Sequence, residues 1–169
     1  GLIDGVTTNP SLIMKSGRVP DEVYKEIKEI GVPDISMEVM GNDLEMYDEG
    51  IRLFETFGSV CTVKVPCTRE GLIVCKRLAE QGINVNVTLI FSAPQAVLAA
   101  KAGATYVSPF VGRLDDQQVA GLEVVRAISD LYRIHGCRTQ VLSASIRSVQ
   151  RAIRSWYNGA SICTMPPKV

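Results

Sequence analysis

Short apolar runs alternate along the chain with longer segments that mix apolar and charged residues. The seven runs are LIDGVT, DISMEVM, VCTVKVP, INVNVTLIF, TYVSPFV, TQVLSAS and SICTMP. Their length and their content of β-branched residues predict β-strands. Because several carry apolar residues at consecutive positions, we expect strands with apolar residues on both faces of a parallel sheet that is covered by helices.

Two of the intervening segments have apolar residues at the spacing of an α-helix. These residues are Val23, Ile27 and Ile30 in PDEVYKEIKEI, and Val124, Ile128 and Leu131 in EVVRAISDLYRI. Each segment predicts a helix with one buried stripe. Alternating strands and helices without an internal linker predict an α/β protein with a single domain over residues 1–169.

Glycines separate the helical segments from the strands that follow them. They are Gly31, Gly58, Gly82, Gly103, Gly136 and Gly159. Their position predicts the left-handed backbone conformation that ends many helices. Ser92 and Gln95 have the spacing of a capping box, with Pro94 in the first turn of the helix that they predict.

An open doubly wound sheet and a closed barrel both fit this order of elements. No glycine-rich nucleotide-binding motif follows a predicted strand, which weakens the open-sheet alternative. Polar or ionisable residues end most of the strands, and they are Thr7, Asn9, Glu38, Lys64, Asn86, Thr88, Ser108 and Ser145. Only closure brings all these ends around one cavity, so we predict a (β/α)8 TIM barrel.

Charge and composition narrow the functions that such a barrel can have. Eighteen basic residues balance eighteen acidic ones, so no net field attracts nucleic acid or an anionic membrane. No apolar run reaches the ~20 residues that span a bilayer, and we predict a cytoplasmic protein. The five cysteines lack metal-binding spacing and are predicted to be reduced and buried. The one histidine, His135, is predicted to lie on the surface, so we expect no metal site.

Lys64 and Glu38 are ionisable residues within otherwise apolar runs. Valines flank Lys64 in VKVP, and burial among apolar groups disfavours the ammonium form. A neutral amine is the nucleophile that attacks a ketone carbonyl. Glu38, one strand earlier, could relay protons through water. Two other interpretations stay open at this point: from spacing alone Lys64 is more typical of a lysine facing water, and Glu38 is as typical of a structural salt bridge.

Neutral hydrogen-bonding groups and arginines follow the other strands. The neutral residues are Asn9, Asn86, Thr88, Ser108 and Ser145. They could bind sugar hydroxyls, but each alone is as typical of a cap or turn. Arg113 and Arg147 carry guanidinium groups, which suit phosphate, although each alone is as typical of a solvated surface.

Five motifs occur in order along the chain. They are DGVTTNPS at 4–11, VKVP at 63–66, NVTLIFS at 86–92, SPFVGR at 108–113 and SASIR at 143–147. Together they resemble the transaldolase family, and most closely its compact branch, which includes fructose-6-phosphate aldolase and short transaldolases. Any one motif is weak evidence, whereas five with consistent spacing are highly specific.

The resemblance implies a role for each matched residue. Lys64 would form a Schiff base with the substrate, while Glu38 and Thr88 would hold and activate the water that transfers protons. The other implied residues are Thr7, Asn9, Asn86, Ser108 and Phe110 for binding the substrate, and Arg113, Ser145 and Arg147 for binding its phosphate. The resemblance implies no metal and no organic cofactor.

The implied reaction transfers dihydroxyacetone from sedoheptulose 7-phosphate to glyceraldehyde 3-phosphate, which gives erythrose 4-phosphate and fructose 6-phosphate in the pentose phosphate pathway. Fructose-6-phosphate aldolase is the nearest alternative, and its branch typically has Gln and Tyr where this chain has Glu38 and Phe110. A sugar-phosphate-binding barrel without turnover is a second alternative. A pyridoxal-phosphate enzyme is disfavoured because no Gly/Ser-rich phosphate-binding segment accompanies Lys64.

The chain is short for a complete barrel, which usually has about 250 residues. Compared with the family pattern, these 169 residues lack the first strand, with its catalytic aspartate, and the C-terminal helix. Asp4 does not match that aspartate. We therefore expect a barrel that is incomplete at both ends and has two unpaired strand edges. The family resemblance also implies a homo-oligomer, either a pentamer or a decamer.

Overall fold

Parallel strands in chain order form the sheet of the computed structural model, which describes residues 2–169. The strands of this region are β1 (Val6–Thr7), β2 (Ile35–Glu38), β3 (Cys61–Pro66), β4 (Val85–Ile90), β5 (Tyr106–Pro109), β6 (Gln140–Ser143) and β7 (Ile162–Cys163). Each strand pairs in parallel with the next, from β1 at one edge to β7 at the other. The predicted α/β fold with seven strands is confirmed.

Helices connect the strands and cover one face of the sheet. They are α1 (Pro10–Lys15), α2 (Pro20–Ile30), α3 (Asp43–Phe57), α4 (Arg69–Glu80), α5 (Ala93–Lys101), α6 (Val111–Asp116), α7 (Gly121–Ile134) and α8 (Val149–Tyr157). A single 3-10 turn, Gly58–Val60, joins α3 to β3. Among residues 2–169, no helix combines the length and the apolar character needed to cross a membrane.

Opposite faces of the central strands carry apolar and polar side chains. The apolar face packs against the helices and includes Ile35, Met37, Val63, Val65, Val85, Val87 and Val107. The residues between them are polar and buried, and they are Ser36, Thr62, Lys64, Asn86, Thr88 and Ser108. Since side chains alternate along a strand, these polar groups share the inner face of the sheet. The expectation of apolar residues on both faces is therefore wrong.

The sheet curls until its two edges approach each other. The hydroxyl of Thr7, at the end of β1, lies 2.8 Å from the hydroxyl of Thr164, which follows β7. Within residues 2–169, no backbone pairing joins β1 to β7. The result is a curled parallel sheet with helices outside, which confirms the predicted TIM-barrel architecture and its incomplete closure.

The positive φ expected at the six glycines is confirmed, but the left-handed conformation fails at Gly58 and the details of two helices are wrong. All six glycines have φ between 61° and 91°, whereas Gly58 has a ψ of −147°, which lies outside the left-handed helical region. In α2 the fully buried residue is Tyr24, and Ile30 is 76% exposed, so the predicted stripe is wrong at its last position. The capping box is also wrong, because Gln95 Oε1 accepts a hydrogen bond from the backbone of Phe91 at 2.8 Å and Ser92 caps no backbone group.

The cysteines are free thiols, as predicted, but they are not all buried. Cys61 and Cys75 are buried and Cys137 is exposed, while the other two are intermediate. Cys137 lies in the segment between α7 and β6, outside the apolar strands. His135 follows α7 directly and is exposed, so the prediction for the histidine is confirmed.

Candidate active site

Lys64 is a buried lysine held by one carboxylate and one carbonyl. Its side chain is 9% exposed, and Nζ lies 2.8 Å from Glu38 Oε2. Nζ also donates a hydrogen bond to the carbonyl oxygen of Thr8 at 2.9 Å. Glu38 and Lys64 are register partners on β2 and β3, so the parallel pairing itself brings them together.

The burial of Lys64 that the sequence suggested is correct, but its expected surroundings are not. Val63 and Val65 pack in the apolar core against the helices, on the face opposite to Lys64. The amine therefore contacts a carboxylate and a carbonyl instead of the valine side chains.

Thr8 is a contact of Lys64 that sequence reasoning missed. Its carbonyl oxygen accepts from Nζ, and its hydroxyl donates to the carbonyl of Ser36 at 2.8 Å, which fixes the loop after β1. The next residue, Asn9, caps α1 by accepting a hydrogen bond from the backbone of Leu12 at 3.2 Å. Asn9 is thus a helix cap in this structure, and its role in substrate binding stays a prediction.

Asn86 connects two serines across the inner face of the sheet. Its Nδ2 donates to Ser36 Oγ at 3.1 Å, and Ser108 Oγ donates to its Oδ1 at 2.7 Å. All three side chains are buried, and Asn86 is also the register partner of Lys64. These bonds fix the orientation of the amide beside the lysine. Ser36 was not among the predicted site residues, although its position two residues before Glu38 places it on the same face.

Thr88 presents a buried hydroxyl at the end of the same strand. Its Oγ1 has no hydrogen-bond partner among residues 2–169, and neither does Glu38 Oε2 apart from its ion pair with Lys64. A buried polar atom without a partner costs about 1–3 kcal/mol. The following residue, Leu89, has a φ of 59°, and the pairing with β5 shifts register there. Strained backbone of this kind occurs often at functional sites.

Backbone hydrogen bonds tie the start of α6 to the loop after β6. The N–H of Val111 donates to the carbonyl of Ala144 at 3.0 Å, and the N–H of Gly112 donates to the carbonyl of Ser145 at 3.1 Å. Ser145 has a φ of 58°, which is unusual for a residue with a side chain. These contacts bring Arg113, on α6, to the loop that carries Ser145 and Arg147.

The predicted phosphate-binding arginines differ in their contacts. The guanidinium carbon of Arg113 lies 5.2 Å from the centre of the Phe110 ring, which also packs against Phe91. Arg147 instead forms two hydrogen bonds with Asp116, from Nη1 at 2.5 Å and from Nη2 at 2.6 Å. The pKa of Asp116 lies below its usual range because of these bonds. Both arginines are exposed.

Nine of the predicted site residues form two groups, while Thr7 and the helix cap Asn9 make separate contacts. The first group is Lys64, Glu38, Asn86 and Ser108, with Thr88 on the same face, and the second is Phe110, Arg113, Ser145 and Arg147. Thr7 bonds to Thr164 at the open edges of the sheet. No cluster of His, Cys, Asp or Glu in residues 2–169 could hold a metal ion.

A cavity of about 1090 Å³ opens at the other end of the strands. It is lined by residues that precede β4, β5 and β6, such as Asn84, Thr105 and Thr139. None of the predicted site residues lines it. Ligands of parallel α/β barrels bind at the carboxyl ends of the strands, so the polar groups described above form the better candidate site.

Comparison with known proteins agrees with this geometry. The family model for transaldolase/fructose-6-phosphate aldolase matches residues 1–169. The chain belongs to this family. A probable transaldolase of Ruegeria pomeroyi is 52% identical over 170 residues, which cover all of this chain and 78% of that protein. Probable transaldolases of Paracoccus denitrificans and Anaeromyxobacter dehalogenans are each 51% identical over the same shares. The family predicted from the five motifs is confirmed.

Proposed function

We propose that this member of the transaldolase family is a transaldolase that acts through a Schiff base on Lys64. The observation that carries the proposal is the environment of Nζ, which is shielded from water and lies within 2.9 Å of both a carboxylate and a carbonyl. A buried lysine beside a carboxylate can lose its proton to that neighbour and become a nucleophile. The nearest alternative is fructose-6-phosphate aldolase, which belongs to the same family.

Glu38 is the base that the geometry offers to Lys64. A proton passes from the ammonium to the Glu38 carboxylate, and the neutral amine attacks the carbonyl carbon of a ketose. The resulting alcohol then takes a proton from Glu38 and leaves as water, which produces a protonated imine. The N–H of that imine can keep the bond to the carbonyl of Thr8 that the ammonium makes. Glu38, which is a carboxylate again once water has left, then takes the proton of the C4 hydroxyl of the ketose. The C3–C4 bond breaks, which releases C4 as an aldehyde and leaves a three-carbon enamine on Lys64 for an acceptor aldehyde.

The other buried polar groups suit the hydroxyls of a sugar. Asn86 and Ser108 are held in a fixed orientation beside Lys64, and Thr88 has a hydroxyl without a partner among residues 2–169. We assign Thr88 to the water or hydroxyl that exchanges protons with Glu38. Arg113, Ser145 and Arg147 would bind the phosphate at the far end of the substrate. Asn9 and Thr7 would border the dihydroxyacetone portion.

Two residues favour transfer over aldol cleavage. Glu38 supplies a carboxylate beside the imine where the aldolase branch typically has Gln, and Phe110 lacks the phenol that this branch typically has. Our proposed donor and acceptor are therefore sedoheptulose 7-phosphate and glyceraldehyde 3-phosphate, as in the pentose phosphate pathway of the cytoplasm. Rates with this pair and with free dihydroxyacetone as donor distinguish the two activities. A faster reaction with free dihydroxyacetone would assign the chain to the aldolases.

Trapping of the imine tests the central proposal. The chain is incubated with fructose 6-phosphate and sodium borohydride, and the modified peptide is identified by mass spectrometry. We expect a reduced adduct on Lys64 and none on the Lys64→Met variant. Lys76→Met is the matched control, because Lys76 forms an exposed pair with Glu80 at 3.9 Å and should not affect trapping. Phosphate-dependent ligand binding without any adduct on Lys64 would instead support a binding protein without turnover.

We also propose that the chain forms a homo-oligomer, as the family resemblance implies. Four large apolar side chains on α8 are at least 45% exposed, and they are Val149, Ile153, Trp156 and Tyr157. Their spacing places them along one side of the helix, and exposed apolar patches mark interaction surfaces. Light scattering after size-exclusion chromatography should give the mass of several chains. Trp156→Glu should lower that mass, and a monomeric wild-type chain would contradict the proposal.

A further inference from the structure

The carboxylate of Asp116 binds both terminal nitrogens of the Arg147 guanidinium. Both Nη atoms of the arginine donate to it, one to each carboxylate oxygen, at 2.5 and 2.6 Å. This two-bond geometry is the one in which arginine binds phosphate. The two side chains are 55% and 48% exposed, so the pair is open to competition from dissolved anions.

The start of α6 lies close to the Nε atom of Arg147, because a methyl group added to Gly112 would lie 2.8 Å from Nε. The two Nη atoms that Asp116 binds are the donors that an incoming oxyanion would need. Arg113 also lowers the pKa of Asp116 through its charge, so the carboxylate lies within the field of both arginines.

We propose that Asp116 competes with the substrate phosphate for Arg147 and so sets the affinity of the phosphate site. The proposal rests on the phosphate site proposed above for Arg113, Ser145 and Arg147. An incoming phosphate dianion displaces the carboxylate and takes over its two hydrogen bonds. Asp116 thereby weakens the binding of inorganic phosphate and of the substrate phosphate alike.

The test measures the affinity of inorganic phosphate by calorimetry at low ionic strength, together with the KM for fructose 6-phosphate. The exposed pair with Asp116 is weak and open to competition, so Asp116→Asn should bind phosphate roughly two- to fivefold more tightly. The KM should fall in parallel, and kcat should stay unchanged. Unchanged or weaker phosphate binding would show that Asp116 merely orients Arg147, and it would overturn the proposal.

Two further variants make the outcome specific. Asp115→Asn removes the same charge one residue away, where the carboxylate pairs with Arg151 at 3.2 Å. If Asp115→Asn binds phosphate as tightly as Asp116→Asn does, the effect comes only from the loss of one negative charge near the site, and the proposal is overturned. Arg147→Ala should lose phosphate affinity. If Arg147→Ala binds phosphate as well as the wild type does, Asp116 and phosphate do not compete for Arg147. Imine trapping on Lys64 tests the proposed function independently of this result.

Discussion

Glu38 and Lys64 lie directly opposite each other on adjacent parallel strands, and their side chains form a 2.8 Å ion pair that is largely shielded from water. Neighbouring strands thus place a carboxylate beside the amine without any help from a loop. Because the pairing register fixes this geometry, the proton exchange that we propose would need no rearrangement of the two side chains.

Glu38→Gln should therefore slow both imine formation and turnover, because the proposed role of Glu38 includes the proton transfers that form the imine. The amide keeps the size of the side chain but cannot accept a proton, and positioned acid–base groups contribute about 10²–10⁴-fold to rates. We expect kcat to fall within this range, while borohydride still traps an adduct on Lys64 after long incubation. Glu80→Gln is the control, because it removes an exposed carboxylate near Lys76. Full activity of Glu38→Gln would show that another group exchanges the proton.

The sequence motifs predicted which residues form the site. They could not predict which of these residues contact each other, because the pairing of the strands determines those contacts. Lys64 and Glu38 stand out as ionisable residues in apolar strands, but a single strand does not reveal which of its faces meets the helices. The strand register determines that Lys64 faces Glu38 instead of the valines. Thr8 escaped prediction because its contact is a backbone carbonyl, which every residue has.

Contacts between residues far apart in the sequence could not be predicted from the sequence pattern either. Arg147 and Asp116 are 31 residues apart, and their pairing depends on the backbone bonds that join α6 to the loop after β6. The order of strands and helices, by contrast, follows from local signals such as β-branched runs and terminal glycines. The helix stripe failed at Ile30 because tertiary packing buries Tyr24 instead.

Gly112→Ala should impair the recognition of phosphate selectively. The added carbon would lie 2.3 Å from the Ser145 carbonyl oxygen and 2.8 Å from Arg147 Nε, so the loop after β6 must move. Such overpacking typically costs about 1–3 kcal/mol. We expect a higher KM for fructose 6-phosphate and unchanged trapping of Lys64 by free dihydroxyacetone, which has no phosphate.

Gly50→Ala is the matched control for this variant. Its added carbon would meet the side-chain methyl groups of Leu78 and Val63 at 3.1–3.4 Å, within the apolar core of the helix layer. It should lower stability without changing the KM for fructose 6-phosphate or the trapping of Lys64 by free dihydroxyacetone. An equal loss with both substrates in Gly112→Ala would show that the glycine supports the fold and not the phosphate site.

The thiols should react at very different rates with Ellman's reagent. Cys137 is exposed, whereas burial raises the pKa of Cys61 and Cys75 to about 12, which leaves almost no thiolate near neutral pH. We expect one fast thiol in the folded protein and five after denaturation. Cys137→Ser should remove the fast phase. Rapid reaction of Cys61 or Cys75 in that variant would contradict the packing of the strands and helices described here.

Asp34 is a carboxylate whose burial opposes its charge. Its Oδ2 accepts hydrogen bonds from the Thr62 hydroxyl at 2.9 Å and from the Tyr106 hydroxyl at 3.1 Å. Burial nevertheless raises its pKa, because the loss of hydration outweighs these bonds. The folded protein therefore takes up this proton at a higher pH than the unfolded chain does, whose aspartates titrate near 3.9. The contribution of Asp34 to stability must therefore fall as pH rises from about 3.9 through the folded pKa.

Asp34→Asn should therefore increase the free energy of unfolding near neutral pH and have little effect below about pH 3.9, where the carboxyl is protonated in both states. Since Asp34 is partly exposed, we expect a gain of less than about 1 kcal/mol. Asp21→Asn should show the opposite sign, because a hydrogen bond from Arg52 lowers the pKa of Asp21 and stabilises the fold at neutral pH. Urea unfolding of both variants at about pH 7 and about pH 3 measures these differences. A loss of stability in Asp34→Asn at neutral pH would mean that the bonds from Thr62 and Tyr106 outweigh the cost of burying the charge.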